Sequence, residues 1–226
     1  MQPPATGDKR RVLITAGPTH EPIDAVRFLG NRSSGTLGVA LALAAAERGH
    51  SVTLLLGPTA MGLTDTRVRL RRFRTAADLE ALLKEEAPAC DVLIMAAAVA
   101  DYRPVATPGL DPATGKLRRE DRRLTIELEP TADLLAGCAA RRKPGQLIVG
   151  FALEPRDRML QSARAKLERK KVDAIVANPL ETMDASTIEA TLVRADGADD
   201  RTDGPIDKSR FADWLLDRLL GKDNPR

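Results

Sequence analysis

Short apolar runs bounded by glycine, proline or charged residues alternate along this chain with stretches in which apolar residues recur every three or four positions. Residues 12–16 form such a run, stop at Gly17-Pro18, and read as a buried strand. From Gly35 onward Leu37, Ala40, Leu41, Ala44 and Ala45 give a helix one apolar face, closing near Arg48 and Gly49. The pattern then predicts a strand over 51–56, a strand over 68–73, a helix over 75–86 and a strand over 91–98. After a long polar gap it predicts a strand over 124–128, a helix over about 132–140 and a strand over 147–151. A charged helix over about 155–171, a strand over 173–177, a hairpin-like 190–194 and a helix over about 208–220 complete the series. Such alternation implies βαβ units. The expected fold is therefore α/β: a doubly wound, mostly parallel sheet with helices on both faces. One domain is expected over 12–220, behind a disordered polar tail, 1–11.

Composition narrows the function classes. The 226 residues suit one large domain, long enough to bury a core without disulfides or a structural metal. Lys+Arg 35 against Asp+Glu 32 leaves +3, too balanced for a protein that coats nucleic acid by charge. One Trp, one Tyr and four Phe leave little for base stacking. Cys90 and Cys138 form no C-x-x-C pair, and His20 and His50 are the only histidines, which argues against a zinc ribbon or a His-rich metal centre. No apolar run approaches the ~20 residues that span a bilayer, and the first eleven residues lack a signal peptide's apolar stretch. The expectation is a cytoplasmic protein with neither a nucleic-acid nor a membrane partner.

In doubly wound sheets ligands sit beyond the carboxyl ends of the strands, and three of those ends are unusual here. The first runs from Gly17-Pro-Thr-His-Glu-Pro to Asn31-Arg-Ser-Ser-Gly35 and opens a helix, where free N–H groups favour an anion. It is neither a Walker A loop, since Thr36 stands where lysine is required, nor a tight G-x-G-x-x-G turn. A plain helix start capped by Ser33 or Ser34 is the competing reading. The second end, Ala96-Ala-Ala-Val-Ala-Asp101-Tyr102, has small residues against which a flat ligand could lie, or a helix could pack. A Pro/Gly-hinged basic stretch over about 102–123 follows, with Lys116, Arg118, Arg119, Arg122 and Arg123. That composition suits a lid over phosphates, or a solvated connector. The third end is Gly150-Phe-Ala-Leu-Glu154, ahead of a helix on which Lys166 and Lys170 share a face. Spacing alone reads that pair as a solvated face.

The ordered segments Gly17-Pro-Thr-x-Glu-Pro-Ile-Asp, Val26-Arg-Phe-Leu, Asn31-Arg-Ser-Ser-Gly, Ala97-Ala-Val-Ala-Asp-Tyr, Gly150-Phe-Ala-x-Glu and Ala165-Lys-Leu-x-Arg-Lys-Lys-x-Asp-x-Ile-Val-Ala-Asn178 resemble the bacterial phosphopantothenoylcysteine synthetase family. The resemblance runs from about Arg11 to Leu220 and implies a Rossmann-like fold, a homodimer and a freestanding ligase that works beside a separate flavin-dependent decarboxylase. It implies that 4′-phosphopantothenate is activated by CTP with Mg2+ as an acyl-cytidylate, which L-cysteine converts to the amide. By the same resemblance Asn31 and Lys116 are catalytic, and Arg27 and Asn31 meet the substrate. Gly17, Ser33, Ser34, Gly35, Ala98, Asp101, Asp133, Phe151, Lys166 and Lys170 meet the nucleotide. No metal ligands are assigned. The chain departs from the family at Thr131-Ala132, Leu153, Pro155 and Pro179.

These residue types fit the chemistry implied. Gathering a triphosphate and a phosphorylated acid needs helix N-termini, lysines, arginines and a divalent ion to offset repulsion. A neutral asparagine can donate to an acyl oxygen without titrating, and a lysine on a closing loop can follow developing charge. Two other readings compete. An NAD(P)-dependent oxidoreductase is weakened by the missing glycine fingerprint and by Gly57-Pro58 where an acidic ribose-holding residue would stand. A nucleotide-binding module without catalysis is the other.

Overall fold

The computed structural model describes residues 9–106, 111, 114–119, 121 and 123–221. The expected tail thus lies outside the described residues over 1–8, as do 107–110, 112–113, 120 and 122 of the expected lid. In chain order the elements are β1 (Arg11–Ala16), β2 (His20–Pro22), β3 (Phe28–Gly30), α1 (Thr36–Glu47), β4 (Ser51–Leu56), β5 (Val68–Arg72) and α2 (Ala76–Glu86). There follow β6 (Val92–Met95), β7 (Tyr102–Pro104), β8 (Leu128–Pro130), α3 (Leu134–Ala140), β9 (Leu147–Glu154), α4 (Met159–Lys170) and β10 (Ala174–Pro179). The series ends with β11 (Thr187–Ile188), β12 (Thr191–Arg194), β13 (Asp200–Arg201), β14 (Ile206–Asp207) and α5 (Lys208–Leu220).

Eight strands form the main sheet in the order β13-β12-β10-β9-β6-β1-β4-β5. From β5 to β10 every pairing is parallel, and β12 and β13 add an antiparallel edge. Alternation along β1 splits the core: Val12, Ile14 and Ala16 pack with α1 and α5, while Leu13 joins the layer containing residues of α2, α3 and α4. Helix α1 is buried beyond the single expected stripe, because α5 covers the side turned away from the sheet. Gly38 permits its close approach, since a Cβ there would lie 2.3 Å from that of Ala16. After β1 the chain builds outward through β4 and β5, then crosses back to place β6 on the other side of β1. The seam between β1 and β6 is thus the topological switch point.

Several boundaries differ from the sequence reading for identifiable reasons. Arg11 belongs to β1, paired with Ser51 and ion-paired to Asp91, so it is no part of a tail. The fourth expected strand ends at Met95, beyond which the alanines keep only a single bridge, Ala98 to Pro18, and line the crevice. Strands β9 and β10 run further than expected because their pairing continues through Asn178↔Leu153 and Pro179↔Glu154. The charged helix consequently starts at Met159 rather than near Pro155. The expected strand over 124–128 is absent from the sheet. Its place is closed, since β6 and β9 are direct neighbours. Leu128–Pro130 instead pairs with Tyr102–Pro104 in a two-stranded arm, and Leu124 and Ile126 are exposed.

Candidate functional site

Two loops are zipped together beyond the switch point. The Thr15 hydroxyl accepts the Ala97 N–H at 3.1 Å and the Thr19 hydroxyl accepts the Ala100 N–H at 3.0 Å. Between them the Ala98 N–H donates to the Gly17 carbonyl at 2.9 Å. Both threonines are fully buried, so these bonds also satisfy polar groups that could not otherwise be tolerated there. The chain then makes the β2–β3 hairpin and emerges at Asn31, whose Nδ2 donates to the Val99 carbonyl at 2.9 Å. That bond fixes the amide while leaving its second N–H and its oxygen without a partner among the described residues. The loop turns into α1 through Gly35, in the left-handed region at φ 78°, with no side-chain cap. The Ser34 hydroxyl lies 2.9 Å from that of Thr36 and accepts the Thr36 N–H at 3.4 Å, but Gly35 occupies the cap position. The competing reading of a serine-capped start is therefore not met, and the remaining N–H groups of the first turn are open to an anion.

These loops, the end of β9 and α4 surround a cavity of about 590 Å³, within the range of small-molecule sites. Of the expected residues, Asn31, Ser33, Ser34, Gly35, Ala98, Asp101, Phe151 and Lys166 line it. An adjoining cavity of about 210 Å³ shares Asp101, Phe151 and Lys166 and adds Asp133 and Lys170. Lys166 Nζ donates to the Phe151 carbonyl at 2.6 Å. Burial, then the neighbouring Lys170, lowers its pKa, against the opposing pull of Asp101, Glu154 and Asp133. Asp133 caps α3 by accepting the Ala136 N–H at 3.0 Å and also pairs with Lys170. Burial pushes its carboxyl up, but the bonds from Lys170 and Ala136 outweigh this and hold it below the usual range. At the substituted Thr131-Ala132, the Thr131 hydroxyl donates to the Ala100 carbonyl at 2.6 Å, tying the α3 start to the crevice loop.

Three expected residues do not line either cavity. Gly17 stands behind the wall and acts through its bond from Ala98. Arg27 pairs with Asp24, and Lys116 lies on the segment packed against that turn. Conversely, the wall contains residues to which the sequence reading assigns no role: Arg32, Glu154 and Asn178, which stand inside the motif segments, and Thr182, Asp184 and Lys208, which stand outside them. Arg32 and Asp184 form an ion pair although 152 positions apart, a link no local spacing could reveal. Lys208, the first residue of α5, has its pKa lowered by burial, opposed by Asp184. Among the described residues no group of three or more His, Cys, Asp or Glu could hold a metal ion, and no helix is long and apolar enough to cross a membrane.

The chain matches the family model described as DNA/pantothenate metabolism flavoprotein C-terminal domain over residues 8–222. It is 43% identical over 228 residues to the coenzyme A biosynthesis bifunctional protein CoaBC of Mycobacterium tuberculosis, covering 94% of this chain and 53% of that one. It is 44% identical over 171 residues to a protein named cysteine/cysteine sulfinic acid decarboxylase from an unknown prokaryotic organism, covering 76% of this chain and 46% of the other. The chain thus spans about half the length of the curated relatives it matches. Among solved structures, the C-terminal domain of a coenzyme A biosynthesis bifunctional protein CoaBC superposes with a TM-score of 0.76 at 33% identity, covering 93% of this chain and 94% of that one.

Proposed function

The chain belongs to the DNA/pantothenate metabolism flavoprotein C-terminal domain family, that of the phosphopantothenoylcysteine synthetases, and from that premise we propose that it joins 4′-phosphopantothenate to L-cysteine at the expense of CTP. One observation carries the reading: Asn31, Asp101, Phe151 and Lys166 meet around one cavity at the open N-terminus of α1. A carboxylate oxygen attacks the α-phosphorus of CTP, the bond to the β-phosphate breaks, and pyrophosphate leaves. The cysteine amine then adds to the acyl carbon and loses a proton. The bond to CMP breaks, and CMP departs with the bridging oxygen.

In this scheme the N-terminus of α1 with Ser33, Ser34 and Gly35 receives the triphosphate. Phe151, Asp101, Asp133, Lys166 and Lys170 hold the nucleoside end, against the small surface of Ala98 that Gly17 keeps in place. The free N–H of Asn31 donates to the acyl oxygen as charge develops there, and Lys116 neutralises charge on the reacting phosphates. Arg27 serves the phosphorylated acid. Mg2+ supplies further neutralisation when bound. With only scattered carboxylates on the wall, Asp101, Glu154 and the Arg32-paired Asp184, it would be held mainly by phosphates and water, as is usual for this ion.

A second copy of the chain completes the site in this reading. Val26, Phe28, Tyr102, Leu124 and Leu128 are exposed on the hairpin and the arm, which pack together around β2 and β7, and Arg27 lies half exposed on the same turn. An apolar surface of that kind around a cation fits an isologous interface. Light scattering should give a dimer, and an active monomer at assay concentration would remove the shared site. A flavin-dependent decarboxylase is the proposed partner that consumes the product.

The reaction is tested by pyrophosphate release with phosphopantothenate, magnesium and each of CTP and ATP, with and without cysteine. Release from CTP without cysteine is expected. Nucleotide binding with no pyrophosphate under any condition would favour a non-catalytic module.

A further inference from the structure

The segment that carries Lys116 is held to the turn before β3 by one buried carboxylate. Asp24 has no exposed side-chain surface, yet donors converge on it from two parts of the chain. Its Oδ1 accepts the N–H groups of Val26 and Arg27 at 2.9 and 2.7 Å. Its Oδ2 accepts Arg27 Nε at 3.0 Å, Arg27 Nη2, and the Leu117 N–H at 3.0 Å from 93 positions away. Two more bonds cross the same seam: Ala25 N–H to the Gly115 carbonyl at 2.9 Å, and Arg27 Nη2 to the Leu117 carbonyl at 2.8 Å. The residues on either side of Lys116 are therefore both tied to the turn that presents Arg27. A buried carboxylate is costly unless its partners are this complete, and removing one leaves the others uncompensated. A solvated connector requires no such arrangement.

We propose that Asp24 is a positioning residue: its carboxylate clasps residues 115–117 to the Arg27 turn, so that Lys116 and Arg27 are presented as one unit. The purpose of the clasp rests on the ligase reading, which gives those two cations their roles. Its existence does not, and can be tested separately.

Two substitutions break the clasp from opposite sides. Asp24→Asn removes the charge, and Leu117→Pro deletes the donor while leaving Asp24 and Arg27 in place. The full chain is digested briefly with trypsin, and cleavage after Arg118 and Arg119 is followed by mass spectrometry, since the bond after Lys116 resists trypsin once proline follows it. The melting transition is recorded beside it. Both variants should melt cooperatively and be cut at those bonds about tenfold faster than the parent or more, the scale of losing a hydrogen bond to a charged group. Both should also slow ligation, and the double variant should be no slower than the worse single, because the two changes remove one device. Parental cleavage in a folded Leu117→Pro protein overturns the clasp, whether or not Asp24→Asn folds. Faster cleavage with undiminished ligation overturns its positioning role. An inactive parent defeats the ligase reading and leaves the cleavage result to judge the clasp.

Discussion

The walls of the cleft and the segment carrying Lys116 differ in what holds them. The cleft is made by the ends of buried parallel strands, its loops joined through Thr15 and Thr19 and its helix set so close that a Cβ on Gly38 would lie 2.3 Å from that of Ala16. The Lys116 segment hangs between exposed strands of an arm and reaches the body through the carboxylate of Asp24 and the bonds of Ala25 and Arg27 beside it. Changes in the first region should therefore injure fold and function together, whereas changes in the second should injure function alone. Such a division suits a reaction in which a preorganised cleft receives the nucleotide and a detachable cation follows the charge.

Asn31 lies on the cleft wall just after the hairpin that packs on the arm, and Asn31→Asp places a negative charge beside an anionic acyl phosphate. Amide formation should fall by roughly 10²- to 10³-fold, as for loss of a preorganised oxyanion contact, while the activated acid still accumulates by mass spectrometry. A variant turning over like the parent would remove Asn31 from the chemistry. Lys116→Ala should lower the rate by about 10²-fold with the melting temperature unchanged, since the side chain packs in no core. If that variant lost stability instead, the arm would be structural and the contrast would collapse. Gly38→Ala tests the cleft side: the added methyl meets Ala16, so stability should drop by about 1–3 kcal/mol in a denaturation curve. An unaffected midpoint would mean that α1 is less tightly seated than its geometry requires.

A smaller effect concerns pH. The hydrogen bond from Arg27 is the main cause holding the Asp24 carboxyl below its ordinary 3.8, so the folded value lies under the unfolded one. The stabilisation it supplies is complete above the unfolded value and lost as pH falls through the folded one. Hydrogen-exchange protection of the Leu117 amide should thus stay constant from about pH 7 to 5 and disappear only below the ordinary carboxylate range. Protection that decays between pH 7 and 5 would point to a different latch.

The same contrast governs how much could be read beforehand. Runs such as 12–16 and 51–56 are legible because a strand buried on both faces is apolar at nearly every position, and the ligand crevice follows from strand order. Asn31, Asp101 and Phe151 were found as motif members at those strand ends, and they do share a cavity. Leu124–Leu128 misled because period-two alternation marks an exposed ribbon as readily as a sheet strand. Arg32 with Asp184, Lys208 on the far wall, and Asp24 with Leu117 were invisible because each depends on contacts between distant segments. Lys166 and Lys170 looked like a solvated pair by spacing. Only the fold shows one bonded to the Phe151 carbonyl and the other to Asp133.

The sharpest measurement follows one oxygen atom. Phosphopantothenate labelled with 18O in its carboxylate is turned over with CTP, magnesium and cysteine, and the released CMP is weighed. Activation through an acyl-cytidylate requires a carboxylate oxygen to form the bridge and to leave with the nucleotide, so CMP should carry one 18O per amide formed. CMP without label, while the amide accumulates, would contradict the mechanism for this cleft.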